Sequence, residues 1–353
     1  MDPLQNKDIL WLLFQFFEAE DLCNVAKTCK KWNYVYKTNK FSYVFSGKRF
    51  INEKLHLIKN VDVNQKVVVY SKKMNDTGII NLYKNNKIKN IKLENNHGFR
   101  DITDKSIVVL SETLEVLESI YSVNLTDNSL EHLVKNKKIR KLSISGSQIS
   151  DAGFTGLNFI EKLYIYSDNI GFFLPYVASD KLKEISLPSQ VTSFRGLEFC
   201  NLTYLSLYGS RIEDEELKYI NMDNLHTLVL CWCKNITDQG ILNLTKGKSF
   251  HLKKLCLRSS KITNSSLMYL SAVDLDIWGT NISDPGFIYL DKTIKLSIGE
   301  MQNITKDCLQ YLSHLKELLA PRTSIETKYL KQFQETNPHI KYNPNFKEIS
   351  KEN

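Results

Sequence analysis

The residues of this sequence with the clearest capacity for chemistry are its cysteines and histidines. Cys231 and Cys233 are separated by one residue, a spacing that invites comparison with metal ligands. A zinc site needs a second pair of ligands at a suitable spacing, and none lies nearby in the sequence. The histidines are isolated from one another along the chain. We therefore predict no metal site, and we expect Cys200, Cys233 and Cys256 to be small buried side chains.

Motifs for catalysis are missing as well. The sequence contains no nucleophile phrase, no phosphate-binding loop and no metal-ligating helix. Aspartate recurs after threonine or serine, but it does so where helices are predicted to begin, and there a negative charge suits the backbone dipole. We predict that the chain is not an enzyme and that it has no cofactor.

The recurring aspartates belong to a repeated six-residue phrase: an apolar residue, Thr or Ser, Asp, two variable residues and another apolar residue. About twelve clear or loose copies follow one another at intervals of about 20 to 28 residues, which indicates an internal repeat. The clear copies begin at Ile102, Leu125, Ile149, Ile236 and Ile282.

A short apolar segment precedes each phrase, as in Leu202, Leu205 and Leu207. Its last two apolar positions alternate with period two, which predicts a strand with one face turned inward. The Thr or Ser and the Asp that follow are typical of a helix N-cap. One repeat is therefore a strand, a turn and a helix. Because no single repeat can bury its apolar side alone, the repeats must stack into a solenoid.

The segment from Leu228 to Ile241, which reads LVLCWCKNITDQGI, resembles the cysteine-containing leucine-rich repeat. The resemblance covers roughly residues 60 to 342. It implies an α/β fold in which a parallel sheet lines the concave side and helices line the convex side.

The first residues of the chain are unusually apolar. Eight of the nine residues from Ile9 to Phe17 are apolar, and the acidic residues Glu18, Glu20 and Asp21 follow. The run is about half the length of a transmembrane helix, and no small-residue cleavage site follows it. We expect neither membrane insertion nor secretion, and hence reduced thiols in the cytoplasm or the nucleus.

This front segment resembles an F-box, the module that docks a substrate receptor on the Skp-family adaptor of a cullin-based ubiquitin ligase. The match extends without a gap through Trp32, and it departs at Gln5-Asn6, where the family has Leu-Pro and where this chain offers Pro3-Leu4 slightly upstream. The adaptor-binding residues that the resemblance implies are Leu4, Asp8, Ile9, Leu10, Leu13, Phe14, Phe17, Asp21, Leu22, Cys29 and Trp32. The alternative is a helical cap that covers the apolar end of the first repeat.

These patterns divide the chain into three predicted parts. Residues 1–50 form the small all-α F-box module, residues 51–342 form a solenoid of about 12 repeats, and residues 343–353 form a polar tail. Ile340 and Tyr342 are predicted to lie in the final strand.

Outward positions of the predicted strands carry a cluster of aromatic side chains. Tyr, Trp and Arg most often supply binding energy at protein interfaces, so we predict that a protein substrate binds here. The predicted substrate-binding residues are Tyr164, Tyr166, Tyr204, Tyr208, Trp232, Arg258 and Trp278. The alternative is that aromatic side chains on neighbouring strands only stack on one another.

The formal net charge of +8 is modest for 353 residues, so it is weak evidence for nucleic-acid binding. Lys254, Arg258, Arg211 and Lys261 could form a basic spot for a phosphorylated residue, or they could be ordinary solvated charges. The leading hypothesis is a non-catalytic substrate receptor of an SCF-type ubiquitin ligase. The alternative is a leucine-rich-repeat scaffold or decoy that recruits no ligase.

Overall fold

A computed structural model describes residues 43–45, 66–69, 74–84, 86–94, 101–120, 124–145, 148–167 and 170–343. The chain divides into two compact units, Met1–Val177 and Ala178–Asn353. In each unit, short parallel strands follow one another in chain order, and most of the segments between them contain a short helix. This is the repeated strand–turn–helix arrangement that the sequence predicts.

The first unit contains strands β1 to β6 and helices α1 to α4. The strands are β1 (Tyr43–Phe45), β2 (Lys66–Val69), β3 (Asn90–Glu94), β4 (Val116–Ile120), β5 (Lys141–Ser145) and β6 (Lys162–Tyr166). The helices are α1 (Asp76–Lys84), α2 (Asp104–Leu110), α3 (Asp127–Asn136) and α4 (Leu174–Val177), with a 3₁₀ helix at Asp151–Phe154. Strand β1 lies inside the segment that the sequence assigned to the helical module, so the sheet begins before residue 51.

The second unit continues the pattern with strands β7 to β14. They are β7 (Glu184–Ser186), β8 (Tyr204–Ser206), β9 (Thr227–Val229), β10 (Phe250–Cys256), β11 (Leu270–Asp276), β12 (Lys295–Ser297), β13 (Glu317–Leu319) and β14 (Lys341–Asn343). The helices are α5 (Asp238–Thr245), α6 (Asn264–Leu267) and α7 (Thr327–Thr336), with 3₁₀ helices at Leu197–Phe199, Asp214–Tyr219, Asp284–Leu290 and Lys306–Tyr311. Strand β14 is the final strand that the sequence predicts.

The core of each unit lies between the sheet and the helices. In the second unit, one inward leucine of each strand from β8 to β12 pairs in register with a leucine of the next strand, as far as β13. These leucines are Leu205, Leu228, Leu255, Leu275, Leu296 and Leu318, and all of them are buried. Strands of three residues are too short to be stable alone, so burial against the neighbouring repeats must hold them in place.

A second interaction joins consecutive repeats through the recurring aspartates. The carboxylate of Asp238 accepts a hydrogen bond from the Thr263 backbone N–H at 2.9 Å and one from the Thr263 hydroxyl at 2.5 Å. The hydroxyl oxygen of Thr263 in turn accepts from the Ser265 N–H at the start of α6. The threonine therefore caps its own helix, as predicted, whereas the aspartate reaches forward to the next repeat.

We call this set of contacts the carboxylate ladder. It recurs along both units with the same geometry. The other pairs are Asp76 with Thr103, Asp104 with Thr126, Asp127 with Ser150, Asp214 with Thr237 and Asp284 with Thr305.

The ladder also explains why small residues recur at one helical position. A Cβ atom added to Gly240 would lie 2.2 Å from Oδ1 of Asp214, and one added to Gly153 would lie 2.3 Å from Oδ1 of Asp127. The carboxylate of the preceding repeat occupies that space. Where the position holds serine instead, as at Ser266, the serine hydroxyl donates a hydrogen bond to the carboxylate.

Removing one carboxylate of the ladder is expected to destabilise the second unit. Asp238→Ala leaves the Thr263 N–H and two hydroxyls without their acceptor, and a hydrogen bond to a charged group contributes about 1.5–3 kcal/mol. We expect the free energy of unfolding, measured by urea denaturation, to fall by about 2 kcal/mol. Asp223→Ala, at an exposed aspartate outside the ladder, is the control and should change it by less than about 0.5 kcal/mol. Equal losses for the two variants would contradict a structural role for the ladder.

The ladder is also expected to make stability depend on pH. Burial acts to raise the pKa of Asp104, but hydrogen bonds from Ser129 and Thr126 outweigh it and hold the pKa below its ordinary value. Because the pKa is lower in the folded state, the stabilisation is present above the unfolded-state pKa and is lost as pH falls through the folded-state pKa. Asp104→Asn should therefore reduce the loss of unfolding free energy below about pH 4, measured by denaturant titration at several pH values. An unchanged pH dependence would contradict the assignment.

Candidate functional site

The outward side of the sheet in the second unit presents side chains in rows, because residues paired in register lie side by side on adjacent strands. One row crosses strands β7 to β14 and contains the first residue of each three-residue strand. It consists of Glu184, Tyr204, Thr227, Lys254, Asp274, Lys295, Glu317 and Lys341. Glu184 and Tyr204 thus lie at one end of the row, and an unbroken run of charged residues from Lys254 to Lys341 occupies the other.

Opposite charges alternate along the charged part of this row. Lys254 lies 3.9 Å from Asp274, and Lys295 and Lys341 each lie 3.6 Å from Glu317. Burial raises the pKa of Asp274, while Lys254 and Lys295 act in the opposite direction. Each of these lysines therefore has a carboxylate partner within the sheet face.

Arg258 is also paired. Its Nη2 and Nε atoms donate to Oδ2 of Asp276 at 2.6 and 3.2 Å. The hypothesis of a basic spot for a phosphorylated residue named Arg258 and Lys254, and both have an acidic partner on the adjacent strand. The register pairs Lys254 with Asp274 directly. Arg258 lies two residues beyond the end of β10, and its side chain contacts Asp276, the residue that is paired with Cys256. This geometry does not favour an anionic ligand.

The aromatic residues lie beyond the charged part of the face. Tyr208 and Trp232 follow strands β8 and β9, on the turns of two consecutive repeats, and they are 60% and 43% exposed. Tyr204 is partly buried on β8, and burial raises the pKa of its phenol. We call Tyr204, Tyr208, Trp232 and Arg258 the sheet-face site.

Trp278 differs from the other predicted residues because it is only 6% exposed. The guanidinium of Arg258 lies 4.8 Å from the centre of its indole ring. The ring covers Gly299 of the next repeat so closely that an added Cβ would lie 2.4 Å from it. Trp278 therefore supports Arg258 from beneath the surface, and it offers a partner little surface of its own.

Tyr164 and Tyr166 lie in the first unit, on β6. Lys141 on the adjacent strand lies over the Tyr164 ring, 5.3 Å from its centre, and Tyr166 is exposed. The Lys141 ammonium also binds Glu118 at 2.7 Å. Burial acts to raise the pKa of Glu118, but hydrogen bonds from Lys141 and Lys66 outweigh it and lower the pKa.

The cysteines of the second unit differ from the sequence-based expectation in one respect. Cys231 and Cys256, one repeat apart, form a disulfide, so the expectation that all thiols are reduced is wrong for this pair. Both residues occupy outward positions, and Cys256 lies beside Val229, two residues before Cys231. Cys233 lies inside the core, where its thiol donates to the Leu207 carbonyl and burial raises its pKa to about 12. Among the described residues, no cluster of His, Cys, Asp and Glu could hold a metal ion.

Sequence reasoning missed the backbone conformation of the turns that carry the site. Trp232 has a φ of 64°, in the left-handed region that bulky side chains rarely adopt. The same turn position has a positive φ at Gly209, Ser259, Gly279, Glu300 and Arg322. The glycines at two of these positions were the only signal of this requirement in the sequence. The turn forces Trp232 into this conformation, and its exposed indole makes it a candidate contact residue.

The predicted adaptor-binding residues, from Leu4 to Trp32, lie outside the described residues. In the part of the chain that is described, no helix is long and apolar enough to cross a membrane.

Comparisons with known proteins agree with this architecture. Residues 135–157 match a family model described as Leucine Rich repeat. No curated protein matched the sequence. Among solved structures, the chain is similar to an internalin (InlF) from Listeria monocytogenes, with a TM-score of 0.55 and 18% identity over 93% of this chain and 94% of that one.

Two other similar structures are complexes of proteins. A chain of the yeast Rad7 and Elc1 complex has a TM-score of 0.55 and 16% identity over 96% of this chain and 86% of that one. A chain of the mouse RP105/MD-1 complex has a TM-score of 0.53 and 15% identity over 82% of this chain and 56% of that one. These similarities concern the fold. Together with the repeats and the family match, they support a fold of stacked leucine-rich repeats.

The different burial of the aromatic residues leads to a direct prediction. Trp278→Ala should lower the free energy of unfolding by about 3 kcal/mol, because it empties a buried space above Gly299. Tyr208→Ala, at an exposed residue, should lower it by less than about 1 kcal/mol. Urea denaturation of both variants measures the difference. Similar losses for the two variants would contradict the described placement of Trp278.

Proposed function

We propose that this chain is a non-catalytic substrate receptor of an SCF-type ubiquitin ligase. In this proposal, residues 1–50 dock on a Skp-family adaptor and, through it, on a cullin. The sheet face of the solenoid holds a target protein, which the recruited ligase then ubiquitinates. The chain contributes by bringing target and ligase together, and the chemistry takes place elsewhere.

The observation that best supports target binding is the exposure of Tyr208 and Trp232 on consecutive turns. The charged residues on the same face of the sheet are mostly paired with one another. Aromatic side chains of this kind supply a large contact area at a small cost in conformational entropy, and they are enriched among residues that dominate binding energy. The paired charges beside them add specificity more than affinity. A protein surface with apolar side chains is therefore the class of target that fits the sheet-face site.

Adaptor docking is supported by the sequence of the front segment. Ile9, Leu10, Leu13, Phe14 and Phe17 place apolar side chains on more than one side of a short predicted helix. A helix of this kind must pack against its own module on one side and against something else on the other. The gapless resemblance to an F-box through Trp32 favours a Skp-family adaptor as that second surface.

A second candidate function is a protein-binding scaffold or decoy that recruits no ligase. The specific observation in its favour is the departure at Gln5-Asn6, where F-boxes have the Leu-Pro that contacts the adaptor. Both functions use the sheet-face site in the same way, so adaptor binding alone distinguishes them.

The test is co-purification of the full chain with a Skp-family adaptor. We expect the wild-type chain to retain the adaptor and a Leu10→Ala/Leu13→Ala/Phe14→Ala variant to lose it. Each large apolar side chain buried at an interface is worth about 1.5–3 kcal/mol, so loss of the three should abolish detectable binding.

The matched control is Tyr208→Ala, which alters the sheet face and should retain the adaptor fully. If the wild-type chain fails to retain any adaptor, the receptor hypothesis is wrong and the scaffold remains. If the triple variant binds as well as the wild type, the front segment is not the docking element.

A further inference from the structure

The helix side of the second unit has an exposed apolar stripe that the proposed function does not use. The fifth residue after each helix-capping residue is Leu242, Met268 and Ile288 in three consecutive repeats, and these side chains are 37%, 46% and 60% exposed. The residue just before each of them is an apolar residue buried in the core. Each helix therefore has two consecutive apolar residues here, one inside the core and one on the surface. We call these three residues the helix-side stripe.

The stripe has defined ends. In the preceding repeat the same position holds Lys218, and in the following repeat it holds Gln310, both of which are exposed. In the second unit, apolar residues at this position are therefore confined to three consecutive repeats. The fold itself does not require them, since the neighbouring repeats have polar residues there. Contiguous exposed apolar side chains with a polar rim are typical of interaction sites.

The charges beside the stripe are mainly positive. Lys246, Lys248 and Lys292 are exposed where the elements that carry Leu242 and Ile288 end, and none of them forms a salt bridge with the described acidic residues. Asp291, which is also exposed, is adjacent to Lys292 in the chain. On the sheet face, by contrast, the lysines are paired with carboxylates.

A groove of about 660 Å³ adjoins the stripe at Leu242. Lys218 and Lys246 line it, together with Glu215, Gln239, Asn243 and Gly247. Two ammonium groups and one carboxylate give this groove a net positive charge. An acidic side chain is therefore a better fit for it than a basic one.

We propose that the helix-side stripe binds an acidic amphipathic helix of a partner protein. Three neighbouring elements at spacings of about 8–10 Å give the stripe a length of about 20 Å. A helix of about 13 residues has the same length. Its apolar residues at every third or fourth position would contact Leu242, Met268 and Ile288, and its acidic flank would face Lys246, Lys248 and Lys292. This surface is separate from the sheet-face site, so the inference stands whether or not the proposed function is correct.

The test is selection of binders from a displayed library of random peptides against the full chain, followed by counter-screening on a Met268→Glu/Ile288→Glu variant. We expect the peptides that lose binding on the variant to carry apolar residues at helical spacing and a net negative charge. For one such peptide, Lys246→Glu/Lys248→Glu should weaken binding by about tenfold or more, measured by fluorescence anisotropy.

Two controls separate this surface from others. Tyr208→Ala on the sheet face and Lys234→Glu on a sheet-side turn should leave the peptide affinity unchanged. Ile288→Glu alone, at the most exposed of the three residues, replaces the double variant if that variant has altered circular dichroism.

Three results would overturn the proposal. The first is that no selected peptide distinguishes the variant from the wild type. The second is that the peptides which do so carry a net positive charge. The third is concentration-dependent self-association of the wild type that the variant abolishes, which would assign the stripe to a second copy of this chain.

Discussion

The structure depends on a carboxylate in one repeat that binds the first turn of the next. Strands of three to seven residues and helices of four to ten cannot persist alone, so each repeat requires its neighbour. Burial of the inward leucines supplies most of this coupling, but burial is not directional. The hydrogen bonds from Thr263 to Asp238 and their equivalents are directional. They fix the position of the first residue of each helix relative to the first turn of the helix in the preceding repeat.

That constraint has consequences on the opposite side of the sheet. With the start of each helix fixed, the strands pair in register, and outward residues of successive repeats fall into rows. The rows bring Lys254 next to Asp274 and Lys295 next to Glu317, so charges that are scattered in the sequence become pairs. Tyr208 and Trp232 remain exposed on the turns beyond the strands, whereas Trp278 on a later turn is buried against Gly299. The sheet-face site is thus a product of the same repeat geometry that stabilises the fold.

Much of the fold could be predicted because apolar residues and helix-capping residues recur in the sequence at regular intervals. The period-two alternation identified the inward leucines, and the Thr-Asp phrase identified the helix starts.

The pattern could not show which residues of one repeat contact the next repeat. Asp238 was assigned to its own helix but binds the next one, and Cys231 and Cys256 were treated as separate thiols although they form a disulfide. The alternation placed Trp278 outward, but Gly299 in the next repeat leaves room for its ring to lie flat and become buried. These outcomes depend on residues one repeat away, and their partners cannot be identified before the register is known.

Amide hydrogen exchange tests the central role of the carboxylate ladder most directly, because local opening of a repeat exposes its capped amides to solvent. The N–H groups of Thr237 and Thr263 donate to Asp214 and Asp238, respectively. If the ladder couples the repeats, these amides should exchange as slowly as that of Leu255 in the core strand β10, and they should do so in a single cooperative opening. If they exchange at the rate of exposed loop amides while Leu255 stays protected, the repeats are joined by apolar burial alone and this account of the fold is wrong.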